Sequence, residues 1–280
     1  MRSAYLLLVH NNPGQLRRLI QRLMAPNVDF YVHVDRKADL SPFLKELSLP
    51  QVSFIGKREK VNWGGYSIIQ ATVNGFKEII ASGKTYHYIT LLSGQDYPIQ
   101  SNGSIEKFFL QHPGKAFMSF ASVEHEWQEA LPRLNRYFLT DHPFPGSNKI
   151  EGWINKILPA RKPPEGLVFV GRSQWFSITF EQLKYIVAVL QTDKRLTKYF
   201  RFTWGSDEFV FQTLLFNSSF KDEMVNDNLR YTDWSGGGAS PKTLTIADKE
   251  AIAGSGKLFA RKFDRKVDEK ILDVLDSHTL

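Results

Sequence analysis

Two short stretches of the chain hold side chains whose types and spacing could do chemistry. In "WGSDEFVFQTLLF", residues 204–216, the carboxylates Asp207 and Glu208 stand just ahead of an apolar run. With Ser206 or Asp207 as N-cap, Glu208 falls in the first helical turn. There the positive end of the helix favours the ionised acid, which can accept a proton as a general base. Acids that merely cap a helix are the plainer reading. In "KLFARKFDRKVDEKILDVL", residues 257–275, Arg261 and Lys262 are adjacent and lie between Phe259 and Phe263. The stretch reads as the start of an amphipathic helix, with Val267, Ile271, Val274 and Leu275 anchoring the part that follows. Arg would meet anionic oxygens as a planar fork and Lys as a point charge. A solvated helix end is the alternative.

Other textual matches fail on their chemistry. "AIAGSGKL" has Ala251 where a phosphate-binding loop needs its first Gly, and Leu258 where it needs a magnesium-holding hydroxyl. "VEHEWQEA" lacks the second histidine of a zinc-protease helix, and the remaining histidines show no ligand spacing, so no metal site is expected. "SGGGASP" precedes no strand-to-helix dinucleotide fingerprint and reads as a flexible turn. Asp96 in "SGQDYPI" fits a residue that orients a strand-end loop. No Asp-x-Asp occurs, the pair by which many nucleotide-sugar enzymes hold a divalent cation. Neutralising a diphosphate would fall to side chains such as Arg261 and Lys262.

The elements that must position these groups follow from periodicity. "AYLLLV" (4–9), "DFYVHV" (29–34), "VSFI" (52–55) and "YHYITLL" (86–92) read as strands, the first apolar enough to be buried on both faces. Between them, Asn12 as N-cap and Pro13 at the first helical position open a helix with Leu16, Leu19, Ile20 and Leu23 on one face. Ile69, Val73, Phe76 and Ile80 share a face of the next. This rhythm predicts an α/β fold with a mostly parallel, doubly wound sheet whose ligands bind at the carboxyl ends of the strands. Residues 140–166, dense in Pro, Gly and charge, read as a long surface loop. "GLVFV" and "QWFSI" read as strands and "FEQLKYIVAVL" as a helix.

A chain of 280 residues that is 42% hydrophobic and 13% aromatic can bury a sizeable core, and no repeat or composition break divides it. Its formal charge of +7 points to an anionic partner. With no cysteine, disulfides and thiolate sites are excluded and a reducing compartment is the simplest home. "AYLLLV" is too short for a secretory signal or a membrane span.

With these pieces in place, eight stretches in one order carry a resemblance over nearly the whole chain: "AYLLLVHN", "DFYVHVDRKAD", "VNWGGYSIIQA", "YITLLSGQDYPI", "GRSQWFSI", "SDEFVFQTLLFNSSF", "NLRYTDW" and "FARKFD". The sequence resembles the glycosyltransferase family of core-2/I-branching β-1,6-N-acetylglucosaminyltransferases and peptide O-xylosyltransferases. That resemblance implies a GT-A-like variant of the nucleotide-sugar transferase fold, Rossmann-like, in one domain over residues 1–280. Residues up to about 120 would bind nucleotide and the remainder would face the acceptor. It implies a metal-independent, inverting transferase that makes a β-linkage from an α-linked UDP-sugar, carrying N-acetylglucosamine or xylose, to a glycan, glycolipid or peptide hydroxyl. No cofactor is expected beyond the UDP-sugar co-substrate.

Carried over by motif, Leu8, Val9 and His10 after the first strand and Asp35, Arg36 and Lys37 after the second border the uridine. Val61, Asn62 and Trp63 also line the donor site. Glu208 matches the catalytic base, Arg261 and Lys262 the basic pair on the diphosphate, and Ser240 a donor-binding serine. Gln174 and Trp175 fall at a position that contacts the sugar, where the xylosyltransferases have Asp-Trp. Asp207 is placed with the donor sugar or acceptor. Lys242 stands near where the acetylglucosaminyltransferases use a diphosphate-supporting arginine. Arg136 in "RLNRY" is an acceptor candidate from its place before the long loop.

The animal members carry a membrane anchor and many cysteines. Without them, the expectation here is a bacterial-type protein of surface polysaccharide assembly, cytoplasmic and peripheral at the inner face of the membrane. Two rivals from other classes stand beside this reading. A nucleic-acid or anionic-surface binder suits the charge, but the basic residues are dispersed and no recognition motif occurs, so no nucleic-acid partner is expected. A two-carboxylate glycoside hydrolase would need a partner for Glu208 that the sequence does not show.

Overall fold

The computed structural model describes residues 1–277. The strands are β1 (Ser3–Val9), β2 (Val28–Val34), β3 (Val52–Phe54), β4 (Tyr88–Ser93), β5 (Asp96–Pro98), β6 (Ala116–Ser122), β7 (Val170–Thr179), β8 (Met224–Asn226), β9 (Arg230–Thr232) and β10 (Phe259–Arg261). The first helices are α1 (Pro13–Leu23), α2 (Ser41–Glu46), α3 (Ser67–Ala81), α4 (Asn102–Gln111), α5 (Leu131–Asn135) and α6 (Ser147–Ile157). After them come α7 (Phe180–Thr192), α8 (Lys194–Phe200), α9 (Val210–Phe216), α10 (Lys249–Ala253) and α11 (Lys270–Asp276).

Seven strands form one sheet in the order β3-β2-β1-β4-β7-β6-β8. β1 pairs in parallel with β2 and β4, as do β2 with β3 and β6 with β8, while β7 runs antiparallel to β4 and β6. This is the mostly parallel α/β sheet that the apolar runs imply. Successive side chains of a strand point to opposite faces, and both faces are filled. Leu6 joins Ile69, Val73 and Phe76 of α3 and Leu183 of α7 in one core. Tyr5, Leu7 and Val9 join Leu16, Leu19, Ile20 and Leu23 of α1, Phe109 of α4 and Ile271 of α11 in the other. Those four α1 side chains are fully buried, each stabilising the fold by about 1.5–3 kcal/mol.

The chain leaves β1 for β2 on one side and later returns to β4 on the other, so a crevice opens beside the carboxyl end of β1. Because β7 runs the opposite way to β4, its beginning lies at the same edge. A second sheet, β5-β10-β9, pairs Arg261 with Asp96 across an antiparallel ladder and with Thr232 across a parallel one.

The structure corrects several expectations. Arg261 and Lys262 do not open a helix: Arg261 ends β10, the peptide bond to Lys262 is cis, and helix begins only at Lys270. Val267 is 61% exposed, and the buried set of α11 is Ile271, Leu272 and Leu275. Phe259 and Phe263 are fully buried, but as residues of a strand and of the irregular segment after it. Ser206–Glu208 form a single 3₁₀ turn before α9 without a side-chain cap, so neither Ser206 nor Asp207 caps the helix. Asn12 does hold the N-cap position of α1, yet its side chain turns away to Asp264 at 3.4 Å.

The long loop contains α6, whose Ile150, Ile154 and Ile157 keep helical period between Gly146 at its N-cap and Pro159 just past its end. The dense Pro and Gly mark its two ends. Glu151 accepts from the Leu139 amide and Asn155 brackets Tyr137, leaving Ile150, Trp153 and Ile157 facing outward. "GLVFV" adds only Val170 to β7, which makes one strand of the two expected.

Candidate active site

A cleft of about 1010 Å³ opens at the carboxyl ends of the parallel strands. Leu8, Val9 and His10 line it from the end of β1, Asp35 and Lys37 from the turn after β2, and Val61 and Trp63 from the loop before α3. Hydrogen bonds set these turns. Asp35 accepts from the Lys37 amide at 2.8 Å, and Arg58 clasps the carbonyls of Val34, Asp35 and Ala38 at 2.9, 2.8 and 2.6 Å. Buried His33 accepts from the Glu59 amide at 2.8 Å, and burial pushes its pKa down against the pull of Asp35 and Glu59.

Two residues expected here lie outside the lining. Arg36 is exposed, its amide donating to the Glu59 carbonyl, because its neighbours on both sides take the inward positions of the turn. Asn62 is spent on the loop itself, donating its amide to Ser67 and its side chain to Asp141.

At the cleft's basic end, Arg261 and Lys262 line it together with Arg230. Asp96, fully buried, accepts from the Ser93 amide at 2.7 Å and hydroxyl at 2.5 Å through Oδ2, which orients the loop as expected. Its Oδ1 also stands 3.6 Å from Arg261 and 3.7 Å from Arg230. One carboxylate thus faces two guanidiniums, and the excess positive charge is left toward the cleft. Burial lowers the pKa of all three cations: Arg230 is pushed down to about 10 with Asp96 opposing, Arg261 is held up by Asp96, and Lys262 is lowered further by Arg261. Trp175, 8% exposed, carries the Arg261 guanidinium 4.5 Å from its ring centroid. Gln174 lines the cleft beside it, and Ser240 does so from the exposed Gly-rich turn. Lys242 does not: Asp248 holds it at 2.6 Å with Asp233 at 3.7 Å.

Glu208 and Asp207 line the same cleft. Burial raises the Glu208 pKa while Arg133 pulls it back, donating Nη1 to Oε2 at 2.5 Å. Asp207 is 7% exposed and its Oδ1 has no hydrogen-bond partner among the described residues. Burial first, and then the Glu208 charge, pushes its pKa up to about 7. Folded Asp207 therefore holds its proton where the unfolded chain, near 3.8, has lost it, so its ionisation costs stability as pH rises from about 4 through 7. Asp207→Asn is expected to melt like the parent near pH 4 and to exceed it by roughly 2–4 kcal/mol near pH 8. Urea titrations at the two pH values measure the difference.

Arg136 stays away from the cleft. It borders a separate depression of about 340 Å³ with Asn155, Lys156 and Pro159, because α6 and its flanks fold over that side. No sequence motif assigns a role to Arg133, Trp127, Trp204, Arg230 or Arg172. Arg230 left a trace, a cation inside the strand-like "NLRYTDW", which a buried strand admits only with a counter-ion. Arg133 left none, since its partner lies 75 residues away in the chain.

Among the described residues no group of three or more His, Cys, Asp or Glu could hold a metal ion, and no helix is long and apolar enough to cross a membrane. The sequence profile of the Core-2/I-Branching enzymes matches residues 3–253. The chain belongs to that family. Relatives of the Core-2/I-Branching protein include a xylosyltransferase of Ciona intestinalis, 26% identical over 99% of this chain and 34% of its own. Xylosyltransferase 2 of Rattus norvegicus is 26% identical over the same shares. This chain thus spans about a third of the length of these relatives. Among solved structures, apo mouse xyloside xylosyltransferase 1 superposes with a TM-score of 0.42 and 12% identity, over 92% of this chain and 97% of that one.

Proposed function

We propose that this family member is an inverting glycosyltransferase of the GT-A-like type that moves a sugar from a UDP-sugar to an acceptor hydroxyl. What carries the reading is one cleft lined by a carboxylate of raised proton affinity, Glu208, and by the cations Arg261, Lys262 and Arg230. The acceptor oxygen forms its bond to the anomeric carbon while its proton passes to Glu208. The bond from that carbon to the β-phosphate oxygen breaks, and its electron pair leaves with UDP. Charge grows on the departing diphosphate, so cations fixed in advance stabilise the transition state more than the ground state. Arg261, braced by Asp96 and Trp175, is such a cation. Asp35 and the β1 end would hold the uridine, and Gln174, Trp63 and Ser240 would border the sugar.

The named relatives make UDP-xylose the first donor to try and UDP-N-acetylglucosamine the second; a glycan, glycolipid or peptide supplies the hydroxyl. The test is a thermal-shift panel of UDP-sugars with and without EDTA. A ligand at about 100 times its Kd stabilises the native state by about 2.7 kcal/mol. The expected result is a rise in Tm with a UDP-sugar that EDTA leaves intact, and the same indifference of turnover to chelation. No shift with any UDP-sugar counts against the donor class, and activity lost on chelation counts against side-chain neutralisation.

A further inference from the structure

We propose that Arg133, packed against the indoles of Trp127 and Trp204, is the positioning residue that aims Glu208 at the acceptor hydroxyl. The inference rests on the reading of Glu208 as the general base. The guanidinium lies 4.5 Å from the Trp204 ring centroid and 5.2 Å from that of Trp127. Its bond to Glu208 Oε2 is 2.5 Å long, and it is not among the residues lining the cleft. Arg133 therefore acts on the carboxylate from outside the cleft lining.

The clamp is itself anchored. Trp127 stacks on Phe209 at 5.0 Å, and Trp204 meets Trp63 edge-on at 5.3 Å. A guanidinium packed against two indole rings has little rotamer freedom left to lose when it binds a carboxylate, so the pair is ordered before substrate arrives. One oxygen of Glu208 is thereby taken, and Oε1, which has no hydrogen-bond partner among the described residues, is left for the acceptor proton. The turn is shaped to admit this. Gly205 has φ +64°, and a Cβ there would lie 3.3 Å from Arg133 Nη1 and 3.7 Å from Glu208 Oε2, so a side chain would press on the Arg133 guanidinium from a backbone region that disfavours one.

The second effect is on proton affinity. The charges facing Glu208 are Arg133 from α5, Arg172 from β7 and Asp207 beside it in the chain. Burial raises its pKa and the two arginines lower it, Arg133 more. The two arginines thus offset part of the rise that burial imposes on the base.

The test compares Arg133→Ala and Arg133→Lys with the parent in kcat, KM, UDP affinity and the pH profile of kcat/KM. For Arg133→Ala, kcat should fall about 10- to 100-fold with UDP affinity within about threefold. The acid limb should move to higher pH, because Glu208 then holds its proton longer. Arg133→Lys should restore most of the limb's position, which needs charge, and little of kcat, which needs the stacked fork. If the alanine variant fails to fold, the lysine variant carries the test through that split. An unmoved acid limb with parental kcat overturns the proposal, as does a loss confined to KM for the donor. Glu208→Gln separates the two readings. If it turns over normally, the base assignment falls and Arg133 with it; if it is inactive while both Arg133 variants keep the parental profile, only the positioning role falls.

Discussion

Glu208→Gln should cut turnover by at least about 10³-fold while UDP binds within about threefold of the parent. The two halves of this expectation come from different parts of the cleft. Turnover requires a carboxylate that can take the acceptor proton, and a Gln amide of the same shape cannot. UDP affinity is assigned to the turn after β2, the end of β1 and the basic group around Asp96, none of which bonds to Glu208. The substitution is also mild for the fold, since a neutral side chain in a partly buried place removes the cost of desolvating a charge. It does leave Arg133 without its anion, but the guanidinium keeps its two indole faces. Near-normal kcat with a UDP-sugar would remove Glu208 from the base role. Parallel loss of kcat and of UDP binding would make the residue part of the donor site instead.

The fold was legible where periodicity was strong, and the reasons show in single elements. β1, β2, α1 and α3 carry apolar runs that both faces of a parallel sheet demand, so their place could be read from spacing alone. Arg261 and Lys262 defeated the same method. A short strand that ends on a cation looks like the first turn of a helix, and its strand character comes from β5 and β9, distant in sequence. α6 was hidden by the prolines and glycines that bound it. Within the site, motif matches reach residues that border the cleft, but they cannot report what stands behind them. Asp96 shows this well: the sequence assigned it a loop, and the structure adds two guanidiniums that no spacing rule connects to it. Asn62 and Arg36 show the converse, since adjacency in a motif does not decide which of two neighbours faces the ligand.

Arg261→Ala should weaken UDP binding by about 1.5–3 kcal/mol, roughly 10- to 150-fold, and lower kcat further. Asp96 faces both buried guanidiniums, and Asp227, the other anion acting on Arg230, is itself bonded to Lys257, so among the described residues this point of the cleft is short of one counter-ion. A diphosphate would supply it, and removing Arg261 takes away that charge together with its fork. The fold should tolerate the change, because Arg230 remains beside Asp96 and no carboxylate is left stranded. Lys262, a point charge next to it with no aromatic platform among the described residues, should cost less as Lys262→Ala, about 1 kcal/mol, and more of that loss should vanish in high salt. The order of the two effects matters more than their size. If the cations act mainly on the leaving group, kcat falls beyond what the loss of UDP affinity accounts for, since charge grows there only as the glycosidic bond breaks. Equal loss in both would mean that Arg261 binds UDP without assisting its departure. A parental Kd and kcat would place the diphosphate elsewhere in the cleft.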